Sequence, residues 1–509
     1  MSEELQRETI AFLSEICARA GDAATPIATH ISRVFFAGDA VYKLKRAVQT
    51  SYLDFSTPEK RLTACESELR LNRRTAPSLY RAVRRITRDS SGLTFDGPGE
   101  TIDAVVEMRR FDQDNLFDAM AQRNALSTTH IETLAQKMAA FHREAEVSRS
   151  HGGAIAISNV LANNEKELRA SFLARDQDVA PVCDAMRSAL AAHATRLDAR
   201  HVAGKTRRCH GDLTLRNIAL IDGEPTPFDC LEFDETLATI DVLYDVAFVL
   251  MDLWHRSRGD LANVLFNRYL DAAGETDGLP LLPLFIAMRA VIRAHVTARM
   301  AHDATGKAQD ALKDEARAYV TLAGEAMRTA PHMLVGVGGL SGSGKSTLAA
   351  ALAPRLLPIP GARVLSSDRI RKAMFGVAPT QRLQGDAYAP DVSARVYAIA
   401  RTQAALCLDT GWPVICDAVF DRRADREALE ETARDSGARF AGFWLETSGE
   451  TLAARVAART GDPSDATVDV LRAQESKLAA AGEPNSWTRL DASTPADETA
   501  RRLAAMFAT

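Results

Sequence analysis

Cysteine is scarce in this 509-residue chain: seven residues, at 17, 65, 183, 209, 230, 407 and 416, with no CxxC pair among them. An odd, dispersed set argues against a disulfide framework and predicts buried, reduced thiols. A surplus of positive charge is also missing, with Lys+Arg 62 against Asp+Glu 67 and a net charge of −5. That balance disfavours a dedicated nucleic-acid binder and leaves room only for a local basic groove. No apolar run of about 18 residues is apparent, so no membrane span is expected. The opening "MSEELQRETI" is acidic and amphipathic, unlike a signal peptide, and the expected compartment is the cytoplasm. Internal repeats and low-complexity tracts are absent too. Hydrophobic content of 46% and charged content of 25% are ordinary for a globular protein. The length exceeds what one core serves, so two to four domains are expected.

Local patterns divide the chain in two. Leu5, Phe12, Leu13 and Ile16 recur at helical spacing and predict an opening helix. "VFFAGDAVYKLKR" (34–46) predicts two strands around a Gly-Asp turn. "PEKRLTACESELRLNRRTAP" (58–77) predicts one helix with proline at its N-terminus. Residues 83–111 predict a hairpin whose second strand is "AVVEMRRF". Helical patterns run on to about residue 200. "RRCHGDLTLRNIALIDGEPTPFDCLEF" then reads as strand, loop, strand, turn, strand, and helices resume from Ile240 to about Arg328. The texture changes at 326–332, where a polar connection with Pro331 precedes an apolar strand. From there strands and helices alternate, which predicts a parallel sheet with helices on both faces.

The strand after that boundary runs into Gly339-Leu-Ser-Gly-Ser-Gly-Lys-Ser346, a match to GxxxxGK[ST] between strand and helix. Glycines at 339, 342 and 344, with Ser341, Ser343 and Thr347 beside them, let backbone N–H groups curl around phosphate oxygens. The helix N-terminus adds partial positive charge. Lys345 is expected at the β/γ-phosphates and Ser346 on Mg²⁺. Asp368 follows the next strand, where ligands of open α/β sheets bind, and a carboxylate there can take a proton from an attacking hydroxyl. Its alternative role is a helix cap. Arg371, three residues on, can grip an anionic acceptor. Asp417 ends another strand and faces the same crevice, to bind substrate or Mg²⁺-water, or to serve structure alone. Arg455 and Arg459 lie one turn apart before the polar loop "TGDPSDAT". They are read either as lid cations on the transferring phosphate or as a solvated basic face. This stretch resembles P-loop kinases of small molecules and of polynucleotide 5′ ends, such as gluconate kinase, chloramphenicol phosphotransferase, zeta toxin and polynucleotide kinase. The resemblance covers 333–509 and implies a three-layer α/β P-loop fold.

In the first half, "CHGDLTLRN" places His210, Asp212 and Asn217 at HxDxxxxN spacing, that of a kinase catalytic loop. Asp212 would accept or orient a hydroxyl proton, Asn217 would ligate Mg²⁺, and His210 would hold the loop. The β-turn-β unit that follows ends in Asp229, a second carboxylate for Mg²⁺. Glu232 and Asp234 rank below it because they lie past the expected strand end. Asp241 and Asp245 are read as braces for the loop. "CHGDLTLRNIAL…PFDCLEFDE…IDVLYDVAFVLMDL" resembles the aminoglycoside phosphotransferase family, in particular the branch fused to a P-loop kinase. Over about 25–325 this resemblance implies a bilobal protein-kinase-like fold. It also implies a lysine for the α/β-phosphates and a helix glutamate to orient it. Lys43 or Lys45 supplies the first and Glu68 or Glu66 the second; Lys43 with Glu68 is preferred, the alternative being lysines on an exposed strand. The pattern departs from a glycine-loop kinase, since "THISRVFFAGDA" has no GxGxxG before Lys43.

The expectation is therefore α/β and α+β domains at 1–328 and 333–509, ATP and Mg²⁺ as cofactors, and small-molecule hydroxyls as acceptors at two sites. Two other readings remain at this point. One is a polynucleotide 5′-end kinase, which the charge balance disfavours. The other is a nucleotide-gated regulator with a pseudokinase first domain.

Overall fold

In the computed structural model, residues 6–29, 31–49, 53–175, 177–329, 332–458, 464–481 and 486–507 are described. Two compact units emerge: 1–160 with 194–256, and 161–193 with 257–509. The chain passes between them at 160–161, 193–194 and 256–257, so the helices of 257–326 group with the P-loop segment. The change of texture at 326–332 coincides with none of these.

Unit one is built on a six-stranded antiparallel sheet. Its strands are β1 (Ile27–Ala28), β2 (Ser32–Ala37), β3 (Ala40–Lys45), β4 (Tyr80–Asp89), β5 (Gly92–Phe95) and β6 (Glu100–Arg109). Their order is β1-β2-β3-β6-β4-β5. The Gly-Asp turn joins β2 to β3, with Gly38 at φ 62°. The hairpin expected over 83–111 holds an extra strand: the short "GLTF" segment pairs with β4 as β5. Side chains alternate across a strand, so Val106 and Val105 enter different cores. On one face Val106 and Val41 pack with Cys65 of the helix Pro58–Asn72; on the other Val105 and Leu44 pack with Leu13 of the helix Arg7–Arg19. Thr57 caps the former helix and Pro58 opens it. Lys43 and Lys45 share the face of Val41, under that helix.

The rest of unit one holds the paired strands β7 (Thr206–Arg208) and β10 (Thr239–Asp241) and the hairpin β8 (Ile218–Ile221) to β9 (Glu224–Pro227). Asp222 and Gly223 turn that hairpin with φ 52° and 80°, the both-positive pattern that matches strand twist. Behind them the helix Val242–His255 is buried through Leu253.

Unit two contains a five-stranded parallel sheet of β11 (Met333–Gly339), β12 (Arg363–Ser366), β13 (Val414–Asp417), β14 (Arg439–Glu446) and β15 (Thr488–Asp491), in order β12-β13-β11-β14-β15. β11 sits where the strand order reverses, which opens a crevice at its carboxyl end. Met333, Val335 and Val337 of β11 pack with Leu348, Leu352 and Phe507. Ahead of the sheet come the helices Gly259–Ala273, Leu282–Asp303 and Gly306–Ala326. Among the described residues, Thr276–Asp303 is long and apolar enough to cross a membrane by length and composition, but 67% of its most apolar part is buried within the protein. All seven cysteines are buried and free.

Candidate functional sites

In unit one, β3 and the helix Pro58–Asn72 bring distant residues together. Lys43 Nζ lies 2.8 Å from Glu68 Oε1 and also pairs with Asp229. Glu68 Oε2 lies 2.5 Å from Lys45, which pairs in turn with Glu232. Lys45 and Glu68 are fully buried, whereas Glu66 is exposed. The exposed-strand alternative for the lysines therefore falls. Burial works against the Lys43 charge, but Asp229 and then Glu68 outweigh it and hold its pKa well above the usual lysine value. Burial pushes Glu232 up, against the pull of Lys45. Glu232 belongs to the cluster although it lies past the strand end; its signal was a carboxylate three residues from Asp229. Asp234 instead caps the short helix Glu235–Ala238.

The loop bearing Asp212 is held from behind. Asp245 accepts from the backbone of His210 (3.1 Å) and Gly211 (2.9 Å), and Asp252 accepts from Leu215 N at 2.9 Å. Asp241 caps the helix Val242–His255 and pairs with Arg200 at 2.7 Å. Gly211 has φ 85°, and a Cβ there would meet that of Ala238 at 2.8 Å. Buried His210 rests Nε2 on the Phe228 carbonyl at 3.0 Å, and burial lowers its pKa. Asn217 Nδ2 donates to Asp212 Oδ2 at 2.8 Å, so the two expected catalytic-loop residues are in contact. Asp229 adopts φ 58° and its N–H donates to the buried Tyr80 hydroxyl at 3.2 Å. Asp212 with Asn217, and Asp229 with Lys43 on it, offer carboxylates and an amide of the kind suited to Mg²⁺ and phosphate.

In unit two, Gly339, Gly342 and Gly344 take φ of 142°, 89° and 91°. A Cβ at Gly339 would strike Ser343 Oγ at 2.7 Å, and one at Gly342 would strike the Leu452 carbonyl at 2.7 Å. The bends and the glycines therefore require each other. Buried Ser343 Oγ has no hydrogen-bond partner. Gly344 precedes the helix Lys345–Leu352, whose N-terminus faces the loop. Lys345 Nζ donates to the Leu340 carbonyl at 3.0 Å. Ser346, exposed like Thr347, donates its hydroxyl to Asp417 Oδ2 at 2.6 Å. That contact groups Asp417 with the metal-side serine, in line with the Mg²⁺ alternative among its expected roles rather than the substrate one. A hydroxyl and a carboxylate beside a glycine cradle fit Mg²⁺ and a bound phosphate. The amide of Ser341 carries a partner not foreseen, the Gln474 side chain at 3.0 Å.

Asp368 stands in the first turn of the helix Ser367–Met374, whose N-cap is Ser366, so it is not the capping residue. Arg371 does not stand open to an acceptor: it is 6% exposed, gives Nη1 to the Ala387 carbonyl at 2.5 Å and stacks on Tyr388. Next to it Lys372 pairs with Asp465 at 2.7 Å, and Asp465 also takes the Tyr388 hydroxyl at 2.6 Å. Arg455 is exposed and donates to the Ala492 carbonyl at 3.1 Å. Arg459 lies outside the described residues.

Two family models match the chain, the "Phosphotransferase enzyme family" at residues 32–281 and an "AAA domain" at 334–481. Uncharacterized proteins of Mycobacterium tuberculosis and Mycobacterium bovis are 30% identical over 461 residues, covering 89% of this chain and 89% of each relative. A gluconokinase structure from Sinorhizobium meliloti 1021 is 27% identical, with a TM-score of 0.25 over 36% of this chain and 94% of its own. A choline/ethanolamine kinase family protein from Mesorhizobium loti is 16% identical, with a TM-score of 0.38 over 64% of this chain and 99% of its own. At these scores the two structures decide nothing about substrate.

Proposed function

We propose that this chain, which belongs to the family of those mycobacterial proteins and joins a phosphotransferase-family domain to an AAA-type P-loop domain, transfers the γ-phosphate of ATP to small-molecule hydroxyls at two separate sites. The observation that carries this reading is that each unit closes its own set. Lys43 is held between Glu68 and Asp229 in unit one, and Ser346 rests on Asp417 beside the glycine loop in unit two.

At the first site Lys43, oriented by Glu68, would hold the α/β-phosphates, and Asn217 with Asp229 would hold Mg²⁺. Asp212 would take the proton of the acceptor hydroxyl as its oxygen bonds to the γ-phosphorus and ADP leaves. At the second site the loop amides and Lys345 would bind the β/γ-phosphates, and Ser346 with Asp417 would hold Mg²⁺. Asp368 would take the acceptor proton. Bound Mg²⁺ would supply neutralisation of the charge on the transferring phosphate. Catalysis at both sites rests on positioning and electrostatics.

The test is γ-labelled ATP with Mg²⁺ and a pooled metabolite extract, using wild type, Asp212→Asn and Lys345→Ala. Labelled products lost in one variant but not the other are the expected result. ATP binding without any labelled product in wild type would favour a nucleotide-gated regulator and end this reading.

A further inference from the structure

The outer strand of the parallel sheet, β12, has one side paired to β13, and its other side presents unpaired backbone groups. An edge of that kind needs a partner or a cover. Here it receives a side chain. Asn267, on the helix Gly259–Ala273, accepts the N–H of Val364 at 2.7 Å and donates Nδ2 to the carbonyl of Ala362 at 3.2 Å. Those are the two bonds a neighbouring strand would make with residues 362 and 364.

The same helix face adds more. Asn263, one turn earlier, donates to the carbonyls of Pro360 (3.0 Å) and Ala362 (3.1 Å). Arg363 on the strand reaches back to Asn267 Oδ1 at 3.1 Å and to Asp271 at 2.5 Å. Positions 263, 267 and 271 recur every four residues, so all three face the strand. Asn263, Asn267 and Arg363 are at least 94% buried, and Phe266 stacks near Trp412 at 5.5 Å. Buried polar groups satisfied this completely specify one arrangement.

β12 runs directly into the helix Ser367–Met374, whose first turn carries Asp368. We propose that Asn267 is a positioning residue for the P-loop site: its carboxamide completes the sheet edge and thereby sets the strand that presents Asp368. The proposal rests on the reading of Asp368 as the acceptor-side carboxylate. It also makes the P-loop site dependent on a helix encoded about 70 residues before its first strand, so 333–509 does not carry the whole of that site.

The test uses the full chain in an Asp212→Asn background, which silences the first site. Release of labelled phosphate from Mg-ATP, with water as acceptor, reports the second. Asn267→Leu keeps the volume and loses both bonds to the strand; kcat is expected to fall by about tenfold or more. KM for ATP should hold, because the phosphate loop hangs on β11, two strands away. Asn267→Asp keeps the acceptor and loses the donor, and its kcat should lie between the two. Asp271→Asn, folded but lacking the charge opposite Arg363, serves if Asn267→Leu does not fold; it should show the same kcat-only loss in smaller measure. An unchanged kcat, or a change confined to KM, overturns the proposal. Asp368→Asn is measured alongside. If it keeps full rate, the assignment of Asp368 fails and the proposal with it. If it loses rate while Asn267→Leu does not, the positioning proposal alone fails.

Discussion

Glu68 serves two lysines at once, and the second of them explains much of unit one. Lys45 is fully buried, yet Glu232 and Glu68 beside it hold its pKa above the usual lysine value against the cost of burial. Removing one member of such a cluster strands the others. Lys45→Met is expected to lower the stability of unit one by about 3–5 kcal/mol, read by urea unfolding. Lys45→Met with Glu232→Leu should recover part of that loss; a double variant no better than the single would refute the pairing. His210 bears on pH. Burial lowers its folded pKa below the ordinary 6.5, so the unfolded chain binds the extra proton first. The stability it contributes is complete above about pH 6.5 and is lost as pH falls through the folded value. The urea midpoint of wild type should therefore drop more steeply below pH 6.5 than that of His210→Gln, and parallel curves would contradict this. At this scale the sequence was informative where a motif constrains spacing. Asp212 and Asn217 were readable from their interval, whereas Lys43 and Glu68 came only with the family resemblance, with Lys45 and Glu66 as alternatives, and the fold then sets Lys43 on Glu68. Glu232 stood only as a lower-ranked neighbour of Asp229, because its partner Lys45 lies 187 residues away. Arg371 misled for a related reason. Three residues after Asp368 it looked free to grip an anion, and only tertiary packing shows its guanidinium committed to Ala387 and Tyr388.

Among the elements, the two phosphate-side loops are fixed in different ways. The loop of Asp212 is pinned by carboxylates on a buried helix, and Gly211 is required both by φ 85° and by the approach of Ala238. Gly211→Ala is expected to cost about 1–3 kcal/mol, through the left-handed backbone and the forced shift of a packed neighbour. A calorimetric melt of the full chain checks it. The P-loop is closed by Ser346 on Asp417. If that pair holds the metal, Asp417→Asn should raise the Mg²⁺ concentration for half-maximal turnover by about tenfold or more; an unchanged Mg²⁺ requirement would return Asp417 to the acceptor side. Strand and hairpin signals with their own turn chemistry, such as Asp222-Gly223 and Gly38-Asp39, were legible. The "GLTF" strand was not, since four residues carry too little alternation to be told from a turn. Nor was the helix Gly259–Ala273 legible as a sheet edge. Asn263 and Asn267 read as polar positions, and their hydrogen bonds depend on a strand that arrives nearly 100 residues later.

For the whole molecule, the change of texture at 326–332 marks where the P-loop segment starts, while the chain passes from one compact unit to the other at 160–161, 193–194 and 256–257. Composition records the period of local elements and is silent about which of them share a core. The central claim is two separate nucleotide sites in one chain, and the stoichiometry of Mg-ATP binding to the full chain tests it most directly. Two nucleotides per chain are expected for wild type, one in Lys345→Ala and one in Lys43→Met. A single nucleotide bound to wild type, and lost in either variant, would contradict it.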